Sequence, residues 1–262
     1  MIRTSKQADE RFEAGAFECW CLHGAVGMAA GFRDFAKRLV ARKIGARAVD
    51  LWRFLESGGM SMPQFGSALN AEAGGETFRG SGRGLLGYSM GGRLALHALL
   101  EKNHPWAAAV IVSAHPGMRD PAERQARRSA DSAWARKAMV GAWADFLKEW
   151  DSQPVLAGGA VRDEALSTRM ASHRGEIARS FVDWSLGAQE PLWERLGEIQ
   201  IPVLWVVGES DPKFRQIAEQ AVGLLPHSRL AVAPGVGHRV PWEAADWLAD
   251  EVAGFFRLGV GA

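Results

Sequence analysis

The stretch GLLGYSMGGR, residues 84–93, leaves an apolar run, turns, and resumes at once with an arginine. Most strand-to-helix turns need one glycine. This one sets Gly87, Gly91 and Gly92 around a single serine, Ser89. The frame Gly87-Tyr88-Ser89-Met90-Gly91 is the G-x-S-x-G pattern of a nucleophile elbow. There the serine occupies a strained turn, and small neighbours let the backbone double back. The pentapeptide alone also arises by chance. What gives it weight is its position between a buried strand at 82–88 and a helical pattern at 90–102.

Outward from that turn, apolar runs alternate with helical spacing. Strands are expected at 16–22, 46–52, 82–88, 107–113, 202–208 and 228–233, and helices at 31–43, 62–73, 90–102 and 241–258. The alternation implies an α/β protein with a mostly parallel sheet flanked by helices. Between Ala114 and Ile201 the alternation stops. That segment is rich in Arg, Ala and Trp, with helical stretches around 120–140, 139–150, 162–172 and 175–187. It reads as a helical cap (115–200) inserted into a core built from 1–114 and 201–262, where insertions commonly carry specificity.

Composition bounds the rest. The chain has 262 residues, is 47% hydrophobic and carries a formal charge of +1. That is enough for a sizeable core and gives no bulk field to attract nucleic acid or a membrane surface. No run approaches the ~20 apolar residues of a membrane span. The first fifteen residues, MIRTSKQADERFEAG, are polar and lack the apolar centre of a secretory leader. Cys19 and Cys21, two apart on a strand, are expected as buried thiols, consistent with a reducing cytoplasm. No metal or cofactor motif is present, so none is expected. The oligomeric state is not legible in the sequence.

A serine hydroxyl needs a base. With an elbow of this type the chain order is Ser, then an acid, then His. The acid should follow a strand, and VLWVVGESDPKF offers Glu209 and Asp211; Asp211, before Pro212, is preferred, leaving Glu209 as a solvated loop charge. The histidine should follow the last strand, and LAVAPGVGH supplies His238. His23, His97, His104, His115, His173 and His227 do not meet that placement. LHGAVG, after the first buried strand, faces the elbow and nominates the backbone N–H groups of Ala25 and Met90 as oxyanion donors.

With these parts the chain resembles the α/β-hydrolase superfamily over nearly its whole length. The segments GYSMGGR, VSAHPGM, RQARRSADSAWARK, FLKEWDSQPVL, TRMASHRG and GESDPKF give a narrower resemblance, to the 2-succinyl-6-hydroxy-2,4-cyclohexadiene-1-carboxylate synthases of menaquinone biosynthesis. That resemblance implies a lyase that eliminates pyruvate from an enolpyruvyl cyclohexene carboxylate. It implies Ser89, Asp211 and His238 as the triad and Tyr88 as the elbow tyrosine. It further implies that a polycarboxylate substrate is held by Arg93, Arg127, Arg169, Trp150 and Lys213. The register leaves Arg127 and Arg128 both open, and Trp150 fits a ligand contact or a cap core equally. Two features depart from the pattern: DLWRFLESGGM stands where related hydrolases carry D-x-P-G-H-G, and RVPWE follows His238 where a polar pair is usual.

Arginines suit carboxylates, because the planar guanidinium binds them bidentately and stays charged. For Arg124, Arg128, Arg136 and Arg174 a solvated helix face is expected instead, and for Trp134, Trp143, Trp184 and Trp193 a cap core. Two rival functions remain: a serine hydrolase acting on an ester or carbon–carbon bond of a small carboxylated substrate, and a hydrolase-like receptor that binds without turnover.

Overall fold

The computed structural model describes residues 9–12, 17–77, 80–156 and 163–259. The N-terminal stretch read for a leader lies mostly outside these, as does Ala16, the first residue of the expected opening strand. Seven strands form one sheet: β1 (Glu10–Phe12), β2 (Phe17–Leu22), β3 (Ile44–Val49), β4 (Gly82–Tyr88), β5 (Ala108–Val112), β6 (Val203–Gly208) and β7 (Ser228–Ala233). Their order is β1-β3-β2-β4-β5-β6-β7, and all neighbours are parallel except β1 against β3. The chain runs outward from β2 to β3, then crosses back to β4 and builds the other side. Direction therefore reverses between β2 and β4. In open α/β sheets a ligand crevice opens at such a switch, beyond the carboxyl ends of the strands. Both candidate motifs, His23-Gly24 after β2 and Tyr88-Ser89 after β4, sit there.

The alternation in sequence produces the layers. Before the insert run α1 (Arg33–Ala41), α2 (Met62–Gly75) and α3 (Met90–Leu99). The insert holds α4 (Pro121–Val140), α5 (Trp143–Asp151), α6 (Glu164–Met170) and α7 (Arg174–Asp183). After it come α8 (Pro212–Val222), α9 (Val240–Glu243) and α10 (Ala245–Gly259). One sheet face packs Cys19, Cys21 and Leu86 against Phe35 and Leu39 of α1 and Phe256 of α10. The other packs Trp20, Leu85 and Trp205 against Phe65 and Leu69 of α2 and Leu94 of α3. Cys19 and Cys21 are free thiols, buried with their sulfurs 3.8 Å apart, and burial pushes the Cys19 thiol well up.

Three elements differ from the sequence reading. The closing helix expected over 241–258 is broken at Ala244 into α9 and α10. β1 is a three-residue edge strand with no alternating pattern to betray it. The strand expected to reach Trp52 stops at Val49, because the Asp50 carboxylate accepts the Trp52 N–H at 3.2 Å and starts a 3₁₀ turn over Leu51–Leu55. A short acceptor before a turn satisfies a donor that the strand would otherwise have paired.

The insert has its own aromatic centre. Trp134 stands edge-on to Phe146 and Trp150, and Phe181 meets Trp150 at 5.1 Å. Trp184 anchors it to the sheet domain, donating to the Met60 carbonyl at 2.8 Å and meeting the Phe65 ring at 5.4 Å. Three arginines expected on a solvated face bond backbone carbonyls instead. Arg124 and Arg128 both reach Gly187, and Arg174 holds Ala138 and Gly141 at the end of α4. These carbonyls lie at chain turns, where no helix or sheet partner exists for them. Among the described residues no helix is long and apolar enough to cross a membrane.

Candidate active site

Ser89 follows β4 with φ +53°, in the left-handed region that a non-glycine residue adopts only under constraint. The constraint is visible. The Ser89 N–H is tied to the Val112 carbonyl at 2.8 Å, and α3 begins immediately after. The glycines then let backbones touch. A Cβ on Gly91 would stand 2.6 Å from the His23 carbonyl oxygen and press on Leu22 as well; on Gly92 it would stand 2.6 Å from Ala114 Cβ; on Gly87 it would strike the Gly92 Cα at 2.6 Å. Gly24 meets the Tyr88 ring in the same way, at 2.7 Å. The crowding of glycines thus serves the backbone, and through it the serine.

Asp211 is the residue that starts α8. Its Oδ1 accepts the Phe214 N–H at 3.3 Å, with Pro212 in the first turn. Its Oδ2 lies 2.8 Å from His238 Nδ1. Because a carboxylate only accepts, Nδ1 carries the proton and Nε2 is left as a lone pair. Nε2 lies 3.2 Å from Ser89 Oγ. Ser89, His238 and Asp211 are therefore joined in one hydrogen-bonded chain. Asp211 and His238 are buried, and the imidazole is flanked by Phe214 at 4.4 Å and Tyr88 at 5.6 Å between ring centres. Glu209 is exposed, as expected of a solvated loop charge, and also accepts the Gly235 N–H at 2.8 Å.

The chain belongs to the alpha/beta hydrolase family. The family model matches residues 21–251, which takes in the elbow and both loops that meet it. Among curated relatives, a 2-succinyl-6-hydroxy-2,4-cyclohexadiene-1-carboxylate synthase of Citrobacter koseri is 32% identical over 176 residues, 66% of this chain and 68% of that protein. A synthase of the same name from Pectobacterium atrosepticum is 34% identical over 139 residues, 52% of this chain and 55% of that protein. In three such relatives the matched stretch spans only 54 to 59% of their own length. Among solved structures, MenH from S. aureus superposes with a TM-score of 0.86 at 22% identity, over 97% of this chain and 99% of that one. A thermophilic esterase from Thermogutta terrifontis does so with a TM-score of 0.72 at 17% identity, over 96% and 93%. At these identities the two structures speak for the fold.

A cavity of about 590 Å³ opens over Ser89 at the switch point. Its lining brings together Ala25, Tyr88, Ser89, Trp150 and Arg169 of the residues singled out from sequence. Trp150 does both things foreseen for it, packing on Trp134 and facing the cavity. Arg169 comes within 3.9 Å of Glu10. Met90 is the first residue of α3, so its N–H has no carbonyl of its own helix to bond. His23 is structural: Nδ1–H donates to the Gly24 carbonyl at 2.9 Å, Nε2 accepts from Leu51, and burial pushes the ring down to about 4. Arg33, Arg239 and Trp242 also line the cavity. The sequence reading passed over all three. For Arg239 its place beside His238 was an available signal.

Arg93, Arg127 and Lys213 do not line that cavity. They lie close enough to one another for all three charges to act on His115. The Arg93 guanidinium is buried and donates to the Trp184 carbonyl at 2.8 Å and Gln189 Oε1 at 3.2 Å, both neutral. Burial, and then the charge of Arg127, push it down to about 9. Arg127 is paired with buried Asp131 at 2.9 Å, whereas Arg128 is committed to Gly187 and Gln125. His115 feels Arg93, Lys213, Arg127 and Arg119 together, and with burial falls to about 4. Among the described residues no three His, Cys, Asp or Glu side chains converge as a metal site.

Proposed function

We propose that the protein is a lyase that eliminates pyruvate from 2-succinyl-5-enolpyruvyl-6-hydroxy-3-cyclohexene-1-carboxylate, giving 2-succinyl-6-hydroxy-2,4-cyclohexadiene-1-carboxylate in menaquinone biosynthesis. The curated relatives bearing that synthase name support it. The observation that carries it is the lining of the cavity over Ser89, where Arg33, Lys37, Arg169 and Arg239 stand against two acids, Asp34 and Asp163. Such cations favour a substrate that brings carboxylates. A neutral ester gains nothing from them.

In this reading Asp211 orients His238, and His238 Nε2 takes the Ser89 proton. The alkoxide then removes the acidic ring proton instead of attacking a carbonyl. The electron pair moves to the succinyl carbonyl oxygen as a dienolate. The Ala25 and Met90 N–H groups serve as donors to that oxygen, a contribution on the order of 3 kcal/mol for each fixed donor. The dienolate collapses, the ring carbon–oxygen bond breaks, and enolpyruvate leaves to be protonated to pyruvate. The segment 115–200 acts as the cap that closes over the ring, with Trp150 and Arg169 on the substrate side.

The direct test is incubation with the enolpyruvyl precursor and measurement of pyruvate. Deuterium at the abstracted ring position should slow its single-turnover release, unless product release masks the step. Heavy-oxygen water should leave both product carboxylates unlabelled. Label in a carboxylate together with an acyl-Ser89 adduct would establish the hydrolase alternative on the same residues.

A further inference from the structure

The turn that carries His238, Pro234-Gly235-Val236-Gly237, has no helix or strand of its own, yet two of its N–H groups and one carbonyl are bonded from outside it. On one side it is locked to the acid turn. The Ser210 N–H donates to the Val236 carbonyl at 2.9 Å, and the Gly235 N–H donates to Glu209 Oε2 at 2.8 Å. Gly208 adds a steric stop, since a Cβ there would overlap the Gly237 carbonyl. On the other side Glu243, the last residue of α9, reaches back across the histidine. Its Oε2 accepts the Gly237 N–H at 2.7 Å, one residue before His238. Two carboxylates therefore hold two N–H groups of one five-residue turn, one from the loop after β6 and one from α9. Neither lies in the Ser89–His238–Asp211 chain.

We propose that Glu243 and Glu209 are positioning residues for His238. They act by fixing the turn, Glu243 the more strongly because it is half-buried and Glu209 exposed. The imidazole needs that help. Its contact to Asp211 crosses from one loop to another, and its contact to Ser89 is 3.2 Å, the long edge of a working hydrogen bond. A turn free to drift by about 1 Å would forfeit the Ser89 contact first, and small misplacements of a base cost rate heavily. The RVPWE segment, which departed from the family pattern after the histidine, thereby has a use: its glutamate is the outer clamp. The inference rests on Ser89 being activated by His238, but on no particular substrate.

The test reads that activation directly. A fluorophosphonate modifies an activated serine, Ser89 Oγ bonding phosphorus as fluoride leaves, with a limiting rate and an affinity that separate. Glu243→Ala should lower the limiting rate about ten- to a hundredfold, the worth of one charge-assisted hydrogen bond. The affinity for the reagent should stay unchanged. Glu243→Gln keeps an acceptor oxygen in place and should regain all but about fivefold. Glu209→Ala, an exposed change that leaves the core intact, should cost about threefold in the same parameter. It decides the matter should Glu243→Ala not fold. A wild-type limiting rate in Glu243→Ala and in Glu209→Ala overturns the proposal. So does a loss confined to affinity, or a Glu243→Gln as slow as Glu243→Ala. Wild-type protein that labels rapidly but releases no pyruvate would refute the lyase reading and leave this one standing.

Discussion

The elbow under Ser89 and the turn under His238 hold their side chains by different physics. At the elbow the backbone is immobilised by exclusion: Gly87, Gly91 and Gly92 press against Leu22, His23 and Ala114 until no other conformation fits. At the histidine turn Gly235 and Gly237 leave room for a Cβ, exclusion acts only from Gly208, and hydrogen bonds from Glu209, Ser210 and Glu243 do most of the holding. Exclusion acts over tenths of an ångström and fails when an atom is added. Hydrogen bonding to a carboxylate fails when an atom is removed. The two turns should therefore respond oppositely to the same kind of mutation, and that contrast can be broken or sharpened.

The largest effect lies where the two turns meet. Ser89→Ala and His238→Ala should each lower kcat by on the order of 10³-fold or more, with the fold retained by circular dichroism. The double variant should be no slower than either single one, since parts of one unit are not additive. A near-wild-type rate in either single variant removes that residue from the mechanism, and with it the reason to compare the turns.

Gly91→Ala comes next and bears on exclusion alone. Its methyl has only the carbonyls of Leu22 and His23 to enter, and backbone cannot swing aside. The expected cost is about 3 kcal/mol, roughly 6–12 °C in thermal midpoint. An unchanged midpoint would mean that α3 can slide on β2, and that the strain at Ser89 has another source.

Arg169→Gln should lower kcat/KM about ten- to a hundredfold, mainly through KM, while exposed Arg136→Ala changes it less than about twofold. An unchanged kcat/KM in Arg169→Gln would break the link between the cavity's cations and a carboxylated substrate. Arg93 bears on stability instead. In the folded protein it holds its proton only up to about 9. The unfolded chain keeps that proton to higher pH, so this residue's contribution to stability rises above pH 9. Arg93→Gln should flatten that rise in a urea midpoint followed from about pH 8 to 10.

These contrasts also explain what could be read from the sequence. Exclusion is written locally: three glycines within six residues announce the elbow, and β4 occupies the 82–88 span that its apolar run marked. Asp211 was legible because capping chemistry, a short acid before a proline, is local as well. The clamp was not. Glu209 is 26 residues from Gly235, and their meeting depends on β6 lying beside β7, which no spacing in the chain states. Strand order was hidden for the same reason. That Arg93 stays out of the lining of the cavity over Ser89 depends on distant partners, the Trp184 carbonyl and Gln189, which no local spacing states.

The smallest effect tests the sign of the contrast. His97 lies on α3 one turn beyond Arg93, buried, with no hydrogen-bond partner for its Nε2 among the described residues. Burial and the charges of Arg93 and Arg195 push it down to about 4. A lone polar atom in a region held by packing costs about 1–3 kcal/mol, and an apolar residue of similar size removes that cost. His97→Leu should therefore stabilise the protein by about 1 kcal/mol at pH 7, although a polar group has been deleted. Glu209→Ala, also a polar deletion, should lower stability by a comparable or smaller amount. Acid adds a second reading. Between about pH 6.5 and 4 the unfolded chain binds a proton at His97 that the folded one refuses, so stability is lost as pH falls through that window. His97→Leu lacks the group, and its urea midpoint should fall less steeply between pH 7 and 4.5 than that of wild type. Parallel lines, or a His97→Leu less stable than wild type at pH 7, would show that the imidazole is satisfied after all and that packing is not the sole principle on this helix.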